Sequence, residues 1–271
     1  MNKGMNSMIL IVDALNKHKF PMVLDQMFRL RARVFAGRLG WDVNIKDGRE
    51  EDQFDALDPA YVIGLDDEGN VVACVRALQT TGPHMLSDVF HAILDGEPPL
   101  RSAILWESTR FCVDTERLGR GRARGSVSYA TSELMLGAVE YAMRSGISDV
   151  VTVIDPVMDR VLKRSGNAPY DYVGKTVQMG KVAALAGLLD CTEERSASIR
   201  DVAGIEGEVF LADEEALALP AIAAQVPRKS ALESYCDEQV AAAKTDDERI
   251  AALKLKAALA DKIRSHSQVG A

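Results

Sequence analysis

The chain has 271 residues, 47% of them hydrophobic and 27% charged, with a formal net charge of −8. That balance fits a globular protein with one large core and an appendage, or two small domains. It argues against a nucleic-acid binder, which needs a basic face to meet phosphates. Cys74, Cys112, Cys191 and Cys236 form no CxxC pair, and the four histidines are scattered. The expectation is therefore a cytoplasmic protein with reduced thiols and no metal site.

Met8-Ile9-Leu10-Ile11-Val12 is too short for a membrane span and reads as an early strand or a packed N-terminal segment. Residues 18 to 39 carry Met22, Met27, Leu30, Val34 and Phe35 at helical spacing. That predicts a helix ending near Gly40, with Arg31 and Phe35 on one face. The segment from Trp41 to Asp58 is rich in Asp and Glu, shows neither period and is expected as a long loop. Runs over 61–65 and 71–78 flank Asp66-Asp67-Glu68-Gly69-Asn70, a hairpin whose Gly69 and Asn70 suit positive φ. Gly82-Pro83-His84-Met85-Leu86 is a turn entering a short helical piece through Phe90.

Ala103 to Trp106 is nearly continuous apolar sequence, as in a strand covered on both faces, and Glu107 and Arg110 interrupt it at what reads as the strand's end. A glycine- and arginine-rich connection spans 117–125. A helix over 126–143, a strand over 148–154, a helix over 156–164 and a strand over 170–178 follow. This alternation predicts an α/β fold with one mixed sheet flanked by helices. From about residue 212 the sequence becomes alanine-rich, with capping boxes at Ser230–Glu233 and Thr245–Glu248. A first domain is expected over 1–211 and a helical extension over 212–271.

A charge in a buried strand costs several kcal/mol unless it is paired or used. Glu107 and Arg110, taken alone, serve equally as a structural ion pair tying strand to loop. Arg76 lies among small and apolar residues of the hairpin's second strand. It needs an anion, which the acidic loop can supply. Arg31, Phe35, Trp41, Asp52, Asp55, Arg76, Glu107 and Arg110 together could line one cleft in which opposite charges offset each other's desolvation.

The order and spacing of these residues resemble the acyl-homoserine-lactone synthases, the LuxI-type autoinducer synthases of bacterial quorum sensing. The resemblance rests on Arg31-x-x-x-Phe35, Trp41, Asp52-Gln-Phe-Asp55, Val75-Arg76-Ala-Leu, Pro83-His-Met85-Leu86 and Trp106-Glu107-Ser108-Thr109-Arg110-Phe111, and covers roughly residues 8 to 210. It implies a three-layer α/β sandwich with a mixed, mostly antiparallel sheet, similar to the GCN5-related N-acetyltransferases, and leaves the C-terminal extension uncovered. The implied reaction joins an acyl group from an acyl thioester to the amine of S-adenosylmethionine, then closes the lactone and releases 5′-methylthioadenosine. S-Adenosylmethionine is a substrate, so no cofactor is expected.

By its place in the motif Glu107 is the expected base, since the protonated methionine amine must lose a proton before it attacks. Arg31, Phe35, Trp41, Asp52, Asp55, Arg76 and Arg110 are expected to bind S-adenosylmethionine or shape its cleft. The acyl pocket is expected beside Ser108, Thr109 and Thr152, the last being equally a β-branched residue suited to a strand. The donor is expected to be an acyl carrier protein rather than coenzyme A. Arg117, Arg120, Arg122, Arg124, Arg144, Arg160, Lys163 and Arg164 could steer an acidic carrier, meet coenzyme A phosphates or form a solvated basic surface. The alternatives are an acetyltransferase acting on a small amine and a non-catalytic interaction protein that keeps the fold.

Overall fold

In the computed structural model, residues 8–116, 128–180, 182–224 and 231–267 are described, and the chain forms two compact units, Met1–Ala223 and Ala224–Ala271. The first unit is built on a sheet whose strands are β1 (Ile9–Val12), β4 (Ala60–Leu65), β5 (Val71–Gln79), β6 (Leu105–Val113), β7 (Asp149–Ile154), β9 (Val182–Asp190) and β8 (Asp171–Met179), in that spatial order. Every neighbouring pair is antiparallel except β6 and β7, which run parallel. A separate two-stranded ribbon pairs β2 (Ile45–Lys46) with β3 (Arg49–Glu50). The mixed, mostly antiparallel sandwich is the architecture the resemblance implied.

One face of the sheet carries α1 (Pro21–Ala32), the β2–β3 ribbon and α2 (Met85–Asp88), with α6 (Asp213–Ala218) and α7 (Pro220–Ala223) sharing its core. The other carries α3 (Tyr129–Arg144), α4 (Pro156–Arg164) and α5 (Glu193–Ala203). Pro21 opens α1 at a position where its missing N–H costs nothing, and Val23, Met27 and Leu30 are at most 1% exposed. Burying each such side chain stabilises the fold by about 1.5–3 kcal/mol. Ser128 and Asp155 cap α3 and α4 by accepting from the N–H groups of Thr131 and Met158, at 3.2 and 2.7 Å.

Several expectations are corrected. The N-terminal helix is not one uniform piece: a tight turn over Lys17–Lys19 precedes α1, and a wider π turn over Arg33–Arg38 continues it. The acidic segment 41–58 is not a bare loop, for it holds the ribbon and a 3-10 turn over Gln53–Leu57. Gly69 takes positive φ, whereas Asn70 instead donates from its side chain to Asp66. Glu107 lies inside β6 rather than at its end, because Phe111-Cys112-Val113 resumes the strand beyond the charges. β9 and α5 lie where no element was read.

In the second unit α8 (Ala231–Ala242) and α9 (Asp246–Ser267) are joined by the Lys256–Asp237 ion pair. The expected box at Thr245 forms: Glu248 donates its N–H to Thr245 Oγ1 and accepts from the Thr245 N–H, both at 3.2 Å. Ser230 lies outside the described residues. Among the described residues, no helix is long and apolar enough to cross a membrane.

Candidate active site

Three guanidiniums and three carboxylates meet where the acidic segment crosses the sheet. Arg31, fully buried on α1, donates from Nε to Glu50 Oε2 at 2.6 Å and from both terminal nitrogens to Asp55, at 2.8 and 2.9 Å. Arg76, fully buried on β5, donates to both oxygens of Asp52, at 2.6 and 3.0 Å, to Asp55 Oδ1 at 2.8 Å and to Thr109 Oγ1 at 3.0 Å. Arg110 joins Glu50 at 3.1 Å and Asp52 at 2.7 Å. Each charge has opposite partners at bonding distance, which is what makes their burial tolerable.

The local backbone explains the convergence. Asp52 caps the 3-10 turn by accepting from the Phe54 N–H, while Asp55 accepts from the Asp52 N–H at 2.8 Å, so the two carboxylates leave one turn together. On β6, alternation should send Thr109 and Arg110 to opposite faces. A bulge opposite Cys74–Arg76 intervenes, Arg110 takes φ of +57°, and both side chains reach the same cluster. Met85 adds its sulfur, 3.3 Å from Arg76 Nη2 and 3.4 Å from Arg110 Nη1.

Electrostatics divide the members. Burial would raise the Asp55 carboxyl, but the hydrogen bonds and charges of Arg31 and Arg76 outweigh it and hold Asp55 well below the usual carboxylate range. Burial likewise works against the charge on Arg31, yet Asp55 and Glu50 keep it firmly protonated. Tyr61 donates to Asp55 at 2.7 Å, and burial together with that carboxylate pushes its phenol up. The Arg31 and Arg76 side chains are 0% exposed, against 12% for Arg110 and 16% for Asp52, so only the latter pair has a free approach.

Glu107 stands apart from these pairs. It is fully buried, and its two oxygens accept from the N–H groups of Met85 and Leu86, each at 2.6 Å, at the start of α2. Burial pushes its pKa up to about 7 despite those two bonds and the nearby charge of Arg76. A carboxylate has about four acceptor sites, so two remain. A carboxyl in that range can take up or release a proton near neutrality.

Phe35 and Trp41 stack 5.2 Å apart with ring planes 14° from parallel. Phe35 is buried beneath the Arg110 guanidinium, while Trp41 is 41% exposed. A cavity of about 310 Å³, lined by Phe28, Asp52, Asp55 and Tyr61 among others, opens on the edge of the cluster. Ser108 and Thr152 are paired across β6 and β7, with the Thr152 hydroxyl donating to Ser108 O at 3.0 Å, whereas Thr109 turns to Arg76. Beyond that pair the strands part, β6 continuing against β5 and β7 against β9. Arg117, Arg120, Arg122 and Arg124 lie outside the described residues. Arg144 pairs with Glu208 and Lys163 with Asp159, while Arg160 is exposed.

Glu50 is the member that sequence reasoning missed. It is fully buried between Arg31 and Arg110. In sequence it is one of four consecutive charged residues, Arg49-Glu50-Glu51-Asp52, and nothing local distinguishes it from Glu51.

The model of the autoinducer synthase family matches residues 15–199. The chain is 40% identical over 181 residues to the acyl-homoserine-lactone synthase of Agrobacterium fabrum, covering 67% of this chain and 85% of the relative. It is 41% identical over 166 residues to that of Rhizobium radiobacter, covering 61% and 77%. Among solved structures it is similar to BjaI, a CoA-dependent acyl-homoserine lactone synthase seen with SAM and isopentyl-CoA (25% identity, TM-score 0.68, 76% and 93% of the two chains). It is also similar to the synthase LasI, at 29% identity and TM-score 0.63, covering 76% and 100% of the two chains.

Proposed function

The chain belongs to the autoinducer synthase family and is an acyltransferase that makes acyl-homoserine lactones for quorum sensing, and on that premise we propose how its residues divide the work. Glu107 is the base that takes a proton from the amine of S-adenosylmethionine, directly or through a water. The observation that carries this is a fully buried carboxylate with a pKa near 7, held by two backbone N–H groups and with acceptor sites to spare.

Arg110 and Asp52 are the two cluster members with a free approach. We assign Arg110 to the substrate carboxylate and Asp52 to its cationic portion, with the exposed face of Trp41 against the adenine ring. Arg31, Arg76 and Asp55 form the frame beneath, and Phe35 backs Trp41. Lactone closure is an internal attack of the carboxylate on the carbon beside the sulfonium. It mainly needs orientation, which a rigid frame provides.

The acyl thioester enters where β6 and β7 part, with the chain toward Ser108, Thr152 and α3. As donor we propose an acyl carrier protein, supported by the basic residues around α4. The likeness to a CoA-dependent synthase favours acyl-coenzyme A as the second reading. We place the reaction in the cytoplasm, where both substrates are made.

The test supplies purified protein with S-adenosylmethionine and matched carrier-linked and CoA-linked acyl donors, reading lactone and 5′-methylthioadenosine by mass spectrometry. Both products should appear with the native chain, and both should be nearly lost in Glu107→Gln. Full activity of that variant would remove Glu107 as the base, and the faster donor series decides between carrier and coenzyme A.

A further inference from the structure

We propose that Arg101 is a positioning residue for Glu107: its guanidinium gathers the Thr80–Gly82 turn, and that turn presents the backbone N–H groups of Met85 and Leu86 to the Glu107 carboxylate. The proposal rests on the reading of Glu107 as the base.

The donors that grip Glu107 stand at the head of a four-residue helix, α2, too short to hold itself. Something must fix the segment that joins the end of β5 to α2. Three successive carbonyls there, those of Thr80, Thr81 and Gly82, converge on Nη1 of Arg101 at 3.2, 3.1 and 2.7 Å. Carbonyl dipoles aimed at one point repel each other. A cation at their focus turns that repulsion into attraction.

A second tie secures the same turn. Thr80 is fully buried, and its hydroxyl donates to Leu105 O at 2.7 Å while accepting from the Ser102 N–H at 3.1 Å. Arg101 and Thr80 thus fasten the turn to the approach of β6, the strand that carries Glu107. Gly82 O is also 3.0 Å from Nδ1 of His84, a fully buried residue that immediately precedes α2. The His84 carbonyl accepts from the Asp88 N–H at 3.0 Å and from the Ser87 hydroxyl at 2.9 Å, which closes α2. One continuous set of contacts therefore leads from Arg101 through Gly82 and His84 to Met85 and Leu86.

Thr80 is buried and makes only internal bonds, and Arg101 directs Nη1 at the three carbonyls of the turn. Their effect on the reaction passes through Glu107. Loosening the turn weakens two hydrogen bonds that favour the ionised carboxylate, so the Glu107 pKa rises further. The other charges acting on Glu107 are Arg76 from β5, which lowers it, and Asp88 from α2, which raises it. Both stay in place in the test.

The experiment titrates the full-length protein labelled with ¹³C at the glutamate carboxyls, assigning Glu107 by its loss in Glu107→Gln, and measures the pH profile of lactone synthesis in parallel. In Arg101→Gln the Glu107 titration and the acidic limb of kcat/KM should both move up by about half a unit to one unit, with circular dichroism unchanged. Arg101→Lys keeps the charge and one donor group and should recover at least half of the shift. Thr80→Val, which changes no charge, should move the titration in the same direction. An unmoved Glu107 titration in both Arg101→Gln and Thr80→Val overturns the proposal. If the titration moves while the acidic limb does not, the positioning stands and the assignment of Glu107 as the base fails.

Discussion

Arg110 reaches Glu50 across the gap between sheet and ribbon, with Nε 3.1 Å from Oε1 and 3.3 Å from Oε2, because its own backbone is inverted at φ +57°. Glu50 in turn receives Arg31 on Oε2. One fully buried carboxylate therefore fastens the ribbon to both α1 and β6.

Removing that charge should cost more than a surface ion pair would. Glu50→Gln keeps the shape but leaves the buried Arg31 and the partly exposed Arg110 sharing the remaining carboxylates. We expect a loss of roughly 3–5 kcal/mol, the usual cost of breaking a buried pair on one side. Denaturant unfolding measures it, and a loss below about 1 kcal/mol would mean that Glu50 is dispensable to the frame.

The raised pKa of Glu107 makes two linked predictions. As a base it works ionised, so kcat/KM should rise with pH through a midpoint near 7, and Glu107→Gln should lose about 10²–10⁴-fold while losing that limb. Stability runs the opposite way. A carboxyl whose folded pKa lies above its unfolded value favours the fold when protonated, and that contribution disappears as pH climbs to about 7. Relative to Glu107→Gln, the native chain should therefore lose roughly 3 kcal/mol between pH 4.5 and pH 8. Parallel unfolding curves of the two proteins at both pH values give the sign directly.

The charged residues that the structure gathers beside the ribbon were legible because each breaks a pattern: Arg76 and Glu107 are charges inside strands, and Asp52 and Asp55 share a motif with them. Glu50 was not, since its meaning comes from Arg31 and Arg110, which are 19 and 60 positions away. The inversion at Arg110 was equally hidden, because Ser-Thr-Arg-Phe contains no residue that demands positive φ. β9 escaped for another reason. Its sequence, Val-Ala-Ala-Leu-Ala-Gly-Leu-Leu-Asp, has one β-branched residue and suits a helix, yet its place between β7 and β8 makes it a strand. Tertiary pairing overrode local preference there.

The two aspartates of the 3-10 turn should separate by function. Asp55 contributes stability above the ordinary carboxylate pKa, and that contribution is lost as pH falls toward its lowered value. Asp55→Asn should unfold more readily at pH 7, with the gap to the native chain narrowing below about pH 4. Asp52, partly open to solvent, should behave as a binding residue. Asp52→Asn should raise KM for S-adenosylmethionine about ten- to a hundredfold, the worth of a charged hydrogen bond, with a smaller change in KM for the acyl donor. Equal rises in both constants would contradict the assignment.

Gly174 decides how the turn after α2 docks on the sheet. It sits in the irregular stretch of β8 at φ +62°, and a Cβ there would lie 1.9 Å from Ile93 O, a backbone atom that cannot swing aside. Ile93 is fully buried in the same cluster as Leu86, one of the residues that grips Glu107. Gly180, at φ +58°, has nothing within 4 Å of that position. Both alanine substitutions incur the left-handed backbone cost of about 1–2 kcal/mol, but only Gly174→Ala must also move the Ile93 backbone. Thermal unfolding should therefore show a small decrease for Gly180→Ala and a much larger one for Gly174→Ala, accompanied by slower lactone synthesis at temperatures where that variant remains folded. Equal decreases would show that the close approach of Ile93 relaxes without consequence and that β8 does not constrain α2.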